Sequence, residues 1–371
     1  MALRTLSGRH ADPRKGRGAG VNPEGRFETV EREAFDDGWQ TGADDEPVAL
    51  KTVITDERAR SIIARNDSPD IPFTQSVNPY QGCEHGCIYC YARPSHAYRN
   101  LSPGIDFETR IFAKINAPEL LRKELSKPGY QCELIALGAN TDPYQPAERE
   151  RRITRGILEV CAEFNQPVGI VTKNALVERD IDILGPMAAR GLAEVFVSVT
   201  TLDRELARRM EPRCTAPVRR LQAVRALAAA GIPAGVMVAP VIPFLNDHEI
   251  EAIVEAAAAH GAQRAGYVLM RLPYEVKSMF RDWLMRHYPL KAEHVMSRVH
   301  AMRGGRDNDP QFGSRMRGTG EFADLLKQRF NVACKKAGLN QARRGEGNND
   351  GNKRDTAQFR VPGAAGQGSL F

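Results

Sequence analysis

Between residues 74 and 270, short runs rich in Val, Ile and Leu alternate with longer stretches whose apolar residues recur every three or four positions. The runs at 74–80, 108–113, 133–137, 168–172, 194–199, 234–239 and 264–270 are bounded by Gly, Pro or Asn and read as strands. Helices are expected at 118–127, where Pro118 takes a first-turn position, and at 148–164, which carries Ile153, Ile157, Leu158 and Val160. Two more, at 217–230 and 247–260, end at Gly231 and Gly261, as helix C-termini often do. Strands buried on both faces and separated by helices imply a parallel sheet wrapped by helices. About six such units predict an α/β fold, a partial (β/α)6 barrel over residues 70–275. A doubly wound sheet is the competing architecture.

Outside that region the pattern changes. Residues 276–338 read as a helical extension, with Trp283, Phe322 and Phe330 available to pack on the barrel. Residues 1–50 scatter Arg4, Arg9, Arg14, Lys15 and Arg17 among Gly, Ser and Pro, then turn acidic. Residues 340–371 are rich in Gly, Asn, Arg and Gln. Both ends are expected to be disordered tails, because so little apolar surface cannot offset the entropy of ordering.

Composition narrows the class. Of the 371 residues 42% are hydrophobic, enough for a sizeable core. No run approaches the roughly 18 apolar residues of a membrane span. The opening MALRTLSGRH has no apolar stretch after its positive charges, so a cytoplasmic protein is expected, with no membrane partner. A net charge of +6 is compatible with a polyanionic partner without arguing for one.

Seven cysteines in a chain this long do not make a disulfide scaffold. Cys132, Cys161, Cys214 and Cys334 are scattered, but Cys83, Cys87 and Cys90 fall within eight residues, on a loop that follows the first expected strand. That is where parallel α/β folds place their sites. Three thiolates can bind three irons of a cubane and leave the fourth open. The alternatives are a zinc site completed by His85 or His96, or unligated core cysteines. The C-x3-C-x2-C spacing is not that of a zinc ribbon, and no second CxxC pair appears.

C-x3-C-x2-C with an aromatic, Tyr89, before the last cysteine resembles the signature of the radical S-adenosylmethionine (SAM) superfamily. The resemblance implies a [4Fe–4S] cluster on Cys83, Cys87 and Cys90. Its open iron would chelate SAM, and reduction would release a 5′-deoxyadenosyl radical. It also implies an electron donor such as flavodoxin or ferredoxin.

Further segments resemble the spore photoproduct lyase-like branch, often labelled DNA repair photolyases. After the strand at 133–137 comes Thr141-Asp142-Pro143-Tyr144-Gln145-Pro146-Ala147-Glu148. Later strands end in Thr172-Lys173-Asn174 and in Ser198-Val199-Thr200. The resemblance covers residues 75–270. It implies SAM contacts for Lys173 and Ser198, with Thr141, Asp142 and Tyr89 on the same rim, and hydrogen transfer for Tyr89 and Tyr91. Each has an ordinary structural reading: a solvated lysine, an Asx turn, a strand serine, aromatic packing. One departure matters, because the lyase's hydrogen-donating cysteine has no counterpart at Ala139-Asn140-Thr141. Splitting of a thymine photoproduct is therefore not expected.

The chain ends Gln367-Gly368-Ser369-Leu370-Phe371, similar to the peptide by which bacterial DNA-processing proteins dock on the replication sliding clamp. Gly368 replaces the usual Leu. The clamp and DNA are thus the partners suggested, with RNA, protein or a small molecule as alternative substrates.

Overall fold

The computed structural model describes residues 16–27, 50–341 and 355–363. Ten strands occur among them: β1 Val53–Glu57, β2 Ile63–Arg65, β3 Gln75–Val77, β4 Tyr80–Gln81, β5 Arg110–Lys114, β6 Ile135–Leu137, β7 Val168–Thr172, β8 Ala193–Ser198, β9 Ala234–Val241 and β10 Arg264–Leu269. Seven form one sheet in the order β10-β9-β8-β7-β6-β3-β2. The six from β3 to β10 run parallel, and β2 caps the edge antiparallel to β3. Every residue of β3 and β6 is buried, as expected of parallel strands covered on both faces. This is the expected α/β partial barrel.

The strand expected at 108–113 belongs elsewhere. Residues Ile105–Thr109 form a helical turn, and β5 pairs in parallel with β1 and antiparallel with β4 in a separate three-stranded sheet. Its local pattern suits a strand; its partner, 57 positions upstream at Val53, is a non-local choice. The expected strand at 74–80 divides into β3 and β4 around Asn78-Pro79. Asn78 Oδ1 accepts the Asn140 N–H at 3.0 Å, tying the break to the loop after β6.

The helix expected at 148–164 is two. Arg152 adopts φ 51° between Glu148–Arg151 and Ile153–Phe164. The buried Glu148 carboxylate accepts the N–H groups of Thr154 (3.1 Å) and Arg155 (3.3 Å), so it serves the free donors of the second helix. It also accepts the Tyr80 hydroxyl at 2.5 Å.

Helices Val276–His287, Pro289–Ala301 and Glu321–Lys336 follow the barrel. Trp283 is fully buried, donates Nε1–H to Arg209 O at 3.1 Å, and shares a core with Cys87, Ile88 and Tyr89. Phe330 packs on Tyr267 of β10 with tilted rings and centroids 4.7 Å apart.

Parts of the two expected tails fall among the described residues. Residues 16–27 lie against the cysteine loop: Gly18 and Ala19 donate their N–H groups to the Glu108 carboxylate at 2.9 and 2.8 Å. Near the other end, Phe359 packs on Tyr130 and Phe164, and Arg360 N–H bonds to Phe164 O at 3.0 Å. Long-range polar partners, invisible in composition, hold these stretches. Residues 1–15, 28–49, 342–354 and 364–371, including the clamp-like end, lie outside the described residues.

Candidate metal centre and the mouth of the barrel

β3 and β4 deliver the chain into Gly82-Cys83-Glu84-His85-Gly86-Cys87-Ile88-Tyr89-Cys90. Gly82 and Gly86 take φ +81° and +67°, a region that L side chains with a Cβ rarely enter. A Cβ on Gly86 would meet the Glu108 carboxylate at 2.8 Å. Turns Gly86 N→Cys83 O (3.4 Å) and Cys90 N→Cys87 O (3.2 Å) curl the loop, and Cys83 N–H is held by Phe107 O at 2.9 Å.

Arg93, fully buried, grips this loop. Its guanidinium donates to Cys87 O (2.9 Å), Gly86 O (3.1 Å), Pro103 O (3.1 Å) and Gly104 O (2.9 Å), and pairs with Glu108 at 2.5 Å. Five satisfied donors make this buried cation a rigid backbone clamp.

Gln145, from the Thr141–Glu148 string, reads the loop as a backbone partner. Its Oε1 accepts Glu84 N–H at 3.0 Å and its Nε2 donates to Gly82 O at 3.2 Å. Asp142 accepts from the Lys173 N–H (2.8 Å), the Thr172 hydroxyl (2.7 Å) and the Tyr144 N–H (2.9 Å), and lies 3.3 Å from His85 Nδ1. Burial opposes its charge, but His85 and these donors more than compensate, holding its carboxyl at about 2. Thr141 donates its hydroxyl to Tyr80 O at 2.9 Å. Both side chains are engaged within the protein, and they join β6, β7 and the cysteine loop.

His85 is buried with both ring nitrogens in use. Asn174 Nδ2 lies 3.2 Å from Nε2, while Asn174 Oδ1 accepts from Leu176 N–H and Thr215 Oγ1. Burial works against a charge on His85, yet Asp142 beside Nδ1 raises its pKa well above the ordinary value. His96 sets its Nε2 3.0 Å from Arg110 O. A zinc set completed by His85 is therefore disfavoured. Among the described residues, no three His, Cys, Asp or Glu side chains converge as ligands of one metal ion. Three thiols on one curled loop fit a cluster, which asks each for a separate iron. Burial pushes the Cys90 thiol up to about 12, so a thiolate there would form only by exchanging its proton for a metal.

A second network underlies the loop. Tyr89 is buried and donates its hydroxyl to Glu211, whose carboxylate also accepts Thr200 Oγ1 at 2.6 Å and pairs with the buried Arg220. Arg220 further holds Ser198 O at 3.0 Å and Thr215 O at 2.6 Å. Lys173, at the end of β7, places Nζ 5.9 Å from the centroid of the Tyr89 ring. Burial works against its charge, yet Cys87, Glu211 and Cys214 raise its pKa overall. Ser198 ends β8 and is buried. Tyr91, half-exposed, donates its hydroxyl to Ala139 O.

The structure thus brings Cys83, Cys87, Cys90, Tyr89 and Lys173 to one end of the sheet, with Ser198 at the end of the neighbouring strand. Arg93, Glu108, Glu211, Arg220 and Cys214 went unremarked as site residues in the sequence. Their roles rest on contacts across many positions, and the one local hint is the Glu211-Pro212-Arg213-Cys214 step after the helix Arg204–Met210.

Residues 77–257 match the family model described as the radical SAM superfamily. An uncharacterized protein of Mycobacterium tuberculosis is 38% identical over 221 residues, 59% of this chain and 65% of that protein. One of Methanocaldococcus jannaschii is 26% identical over 223 residues, 60% of this chain and 80% of the relative. The chain therefore spans just under two thirds of the mycobacterial relatives' length. Among solved structures, spore photoproduct lyase complexed with dinucleoside spore photoproduct aligns at a TM-score of 0.55 and 15% identity, covering 77% of this chain and 80% of the lyase. A variant of that lyase with bound AdoMet and the same ligand aligns at 0.54 and 15%, covering 81% and 86%. At such identity the likeness is one of fold. Residues 77–257, just under half of the chain, thus match the radical SAM superfamily, in a fold similar to that of spore photoproduct lyase.

Proposed function

We propose that this protein is a radical SAM enzyme that holds a [4Fe–4S] cluster on Cys83, Cys87 and Cys90 and acts on nucleic acid or on something bound to it. Two buried cysteines and the half-buried Cys90, on a glycine-turned loop at the C-terminal end of β3 clamped by Arg93, carry this reading. When bound, the reduced cluster supplies one electron that cleaves SAM to a 5′-deoxyadenosyl radical. The chain's own residues supply position and charge. Lys173 and Ser198 face SAM from the ends of β7 and β8, beneath the Tyr89 ring. Thr141 and Asp142 shape the same rim through the backbone and His85. Tyr91, nearer solvent, passes its O–H hydrogen atom to a carbon radical of the substrate and is left as a phenoxyl radical, while Tyr89 is held to Glu211 as a positioning residue.

Nucleic acid is favoured as substrate by the fold shared with a lyase solved with a dinucleoside lesion. A second reading, modification of a small molecule, protein or RNA, is favoured by one observation. Cys132 lies ahead of β6 with Sγ 3.5 Å from Gln166 Oε1, and residues 139–141 hold no thiol, so the lyase's own hydrogen donor has no equivalent.

Anaerobic reconstitution, reduction with dithionite and chromatography for 5′-deoxyadenosine test the proposal. About four irons per chain and SAM-dependent 5′-deoxyadenosine are expected. A zinc-loaded protein, or no nucleoside product, would overturn it. Pulldown of the sliding clamp with and without residues 367–371 tests the link to DNA, and reduction by flavodoxin or ferredoxin tests the electron donor.

A further inference from the structure

At the end of β10 the chain turns out of the sheet into a group of four arginines, Arg271, Arg303, Arg315 and Arg317. Three of them have oxygen partners, although Arg303 Nε is left without one. Arg303 is buried and donates to Leu269 O (3.2 Å), Met270 O (2.7 Å), Ser314 O (3.0 Å) and Arg315 O (2.8 Å). Arg315 grips both oxygens of Asp70, at 2.7 and 2.5 Å. Arg317 donates to Tyr267 O at 2.9 Å.

Arg271 differs. Its Nε is buried without a hydrogen-bond partner, and its Nη1 is 3.6 Å from the thioether of Met316. A thioether is a weak acceptor. Among the described residues no carboxylate forms an ion pair with it. Burial and the neighbouring Arg315 both lower its pKa, as expected of a cation in want of an anion. Its guanidinium carbon lies 5.8 Å from the centroid of the half-exposed Tyr91 ring, next to the cluster ligand Cys90 and hydrogen-bonded across to Ala139.

We propose that Arg271 is the group that binds an oxyanion of the substrate, a phosphate or a carboxylate, at the mouth of the barrel against the Tyr91 ring. This rests on the reading of that mouth as the place where substrate meets the cluster. A guanidinium presents a planar fork of donors that matches two oxygens at once. Holding such a cation unpaired costs stability, and a bound oxyanion relieves that cost while fixing the substrate beside Tyr91.

Melting curves of the anaerobically purified holoenzyme test this, with inorganic phosphate, acetate or chloride as probe at matched ionic strength. Phosphate or acetate is expected to raise the wild-type melting temperature above its value in chloride, and the effective one names the oxyanion. Arg271→Gln should weaken that response at least about tenfold in anion concentration, and Arg271→Lys should restore part of it. In chloride Arg271→Gln should melt no lower than wild type. Iron content and SAM affinity should be unchanged. An undiminished anion response in Arg271→Gln, or a large drop of its melting temperature in chloride, would overturn the proposal. So would a parallel loss of SAM affinity, which would make the oxyanion that of SAM. A failure of the cluster reading would show separately, as missing iron in wild type.

Discussion

The Sγ of Cys214 lies 3.6 Å from the Sγ of Cys87, although 127 positions separate them. The contact lowers the Cys87 pKa, because the Cys214 S–H can donate to a Cys87 thiolate. Closing the pair to a disulfide needs a shift to about 2.05 Å. Treating cluster-free protein with diamide should therefore bridge Cys87 to Cys214, seen as a linked peptide by mass mapping. Cys214→Ser should abolish the link yet keep wild-type iron in the reconstituted protein. Iron lost in that variant would make Cys214 a ligand.

Removing one of the three proposed ligands should behave differently. Cys87→Ala leaves two thiols for a centre that needs three, so both the brown chromophore and SAM cleavage should disappear. Absorbance near 400 nm and 5′-deoxyadenosine yield report on each. Persistence of either signal contradicts the assignment of the trio.

The cysteine loop stands out in the sequence because its pattern is local: three thiols within eight residues, just after an expected strand. So do most of the six parallel strands, whose residues are largely apolar, although β3 is Gln75-Ser76-Val77. β5 shows the limit, since its pattern fits a strand but its pairing with β1 depends on residues far upstream. The segment 16–27 shows it again. Polar and glycine-rich, it is placed by Glu108, a residue whose burial cannot be read from its neighbours. Asp142 and Thr141 were found at the rim, but their side chains turn out to hold protein groups.

Lys173 faces Cys87 and Glu211 from the end of β7. Its ammonium has no hydrogen bond among those described, and the proposed function gives it an anionic group of SAM as partner. Lys173→Ala should weaken SAM binding roughly tenfold, about 1.4 kcal/mol, while leaving iron content intact. Equilibrium dialysis against labelled SAM measures this. Unchanged affinity removes Lys173 from the site.

Asp142 predicts an acid limb in stability. Its carboxyl titrates at about 2 in the folded protein against an ordinary 3.8. A folded pKa below the unfolded one gives stabilisation that is full above the unfolded value and is lost as pH falls through the folded value. The window is thus about pH 4 to pH 2, and the amount about 2 kcal/mol. Urea midpoints should drop across that window in wild type, and less steeply in Asp142→Asn. Equal slopes would mean that His85 and the Lys173 N–H do not hold the carboxylate as described.

Gly18 offers the most local test of the segment that backs the cluster loop. A Cβ there would sit 1.8 Å from Gly86 O, and Gly86 is itself fixed in a left-handed turn. Neither backbone has room to yield, so Gly18→Ala must lift residues 16–20 away. Glu108 would then lose two N–H donors while remaining paired with Arg93 in a buried site. Unsatisfied buried charge of this kind costs about 2–4 kcal/mol. The melting temperature should fall by several degrees, and trypsin should cut at Arg17 or Arg26 sooner than in wild type. Gly185→Ala, where the nearest atom to a new Cβ is 3.8 Å away inside the helix Ile181–Ala189, should leave both unchanged or slightly improved. If the two variants behave alike, the segment does not support the loop.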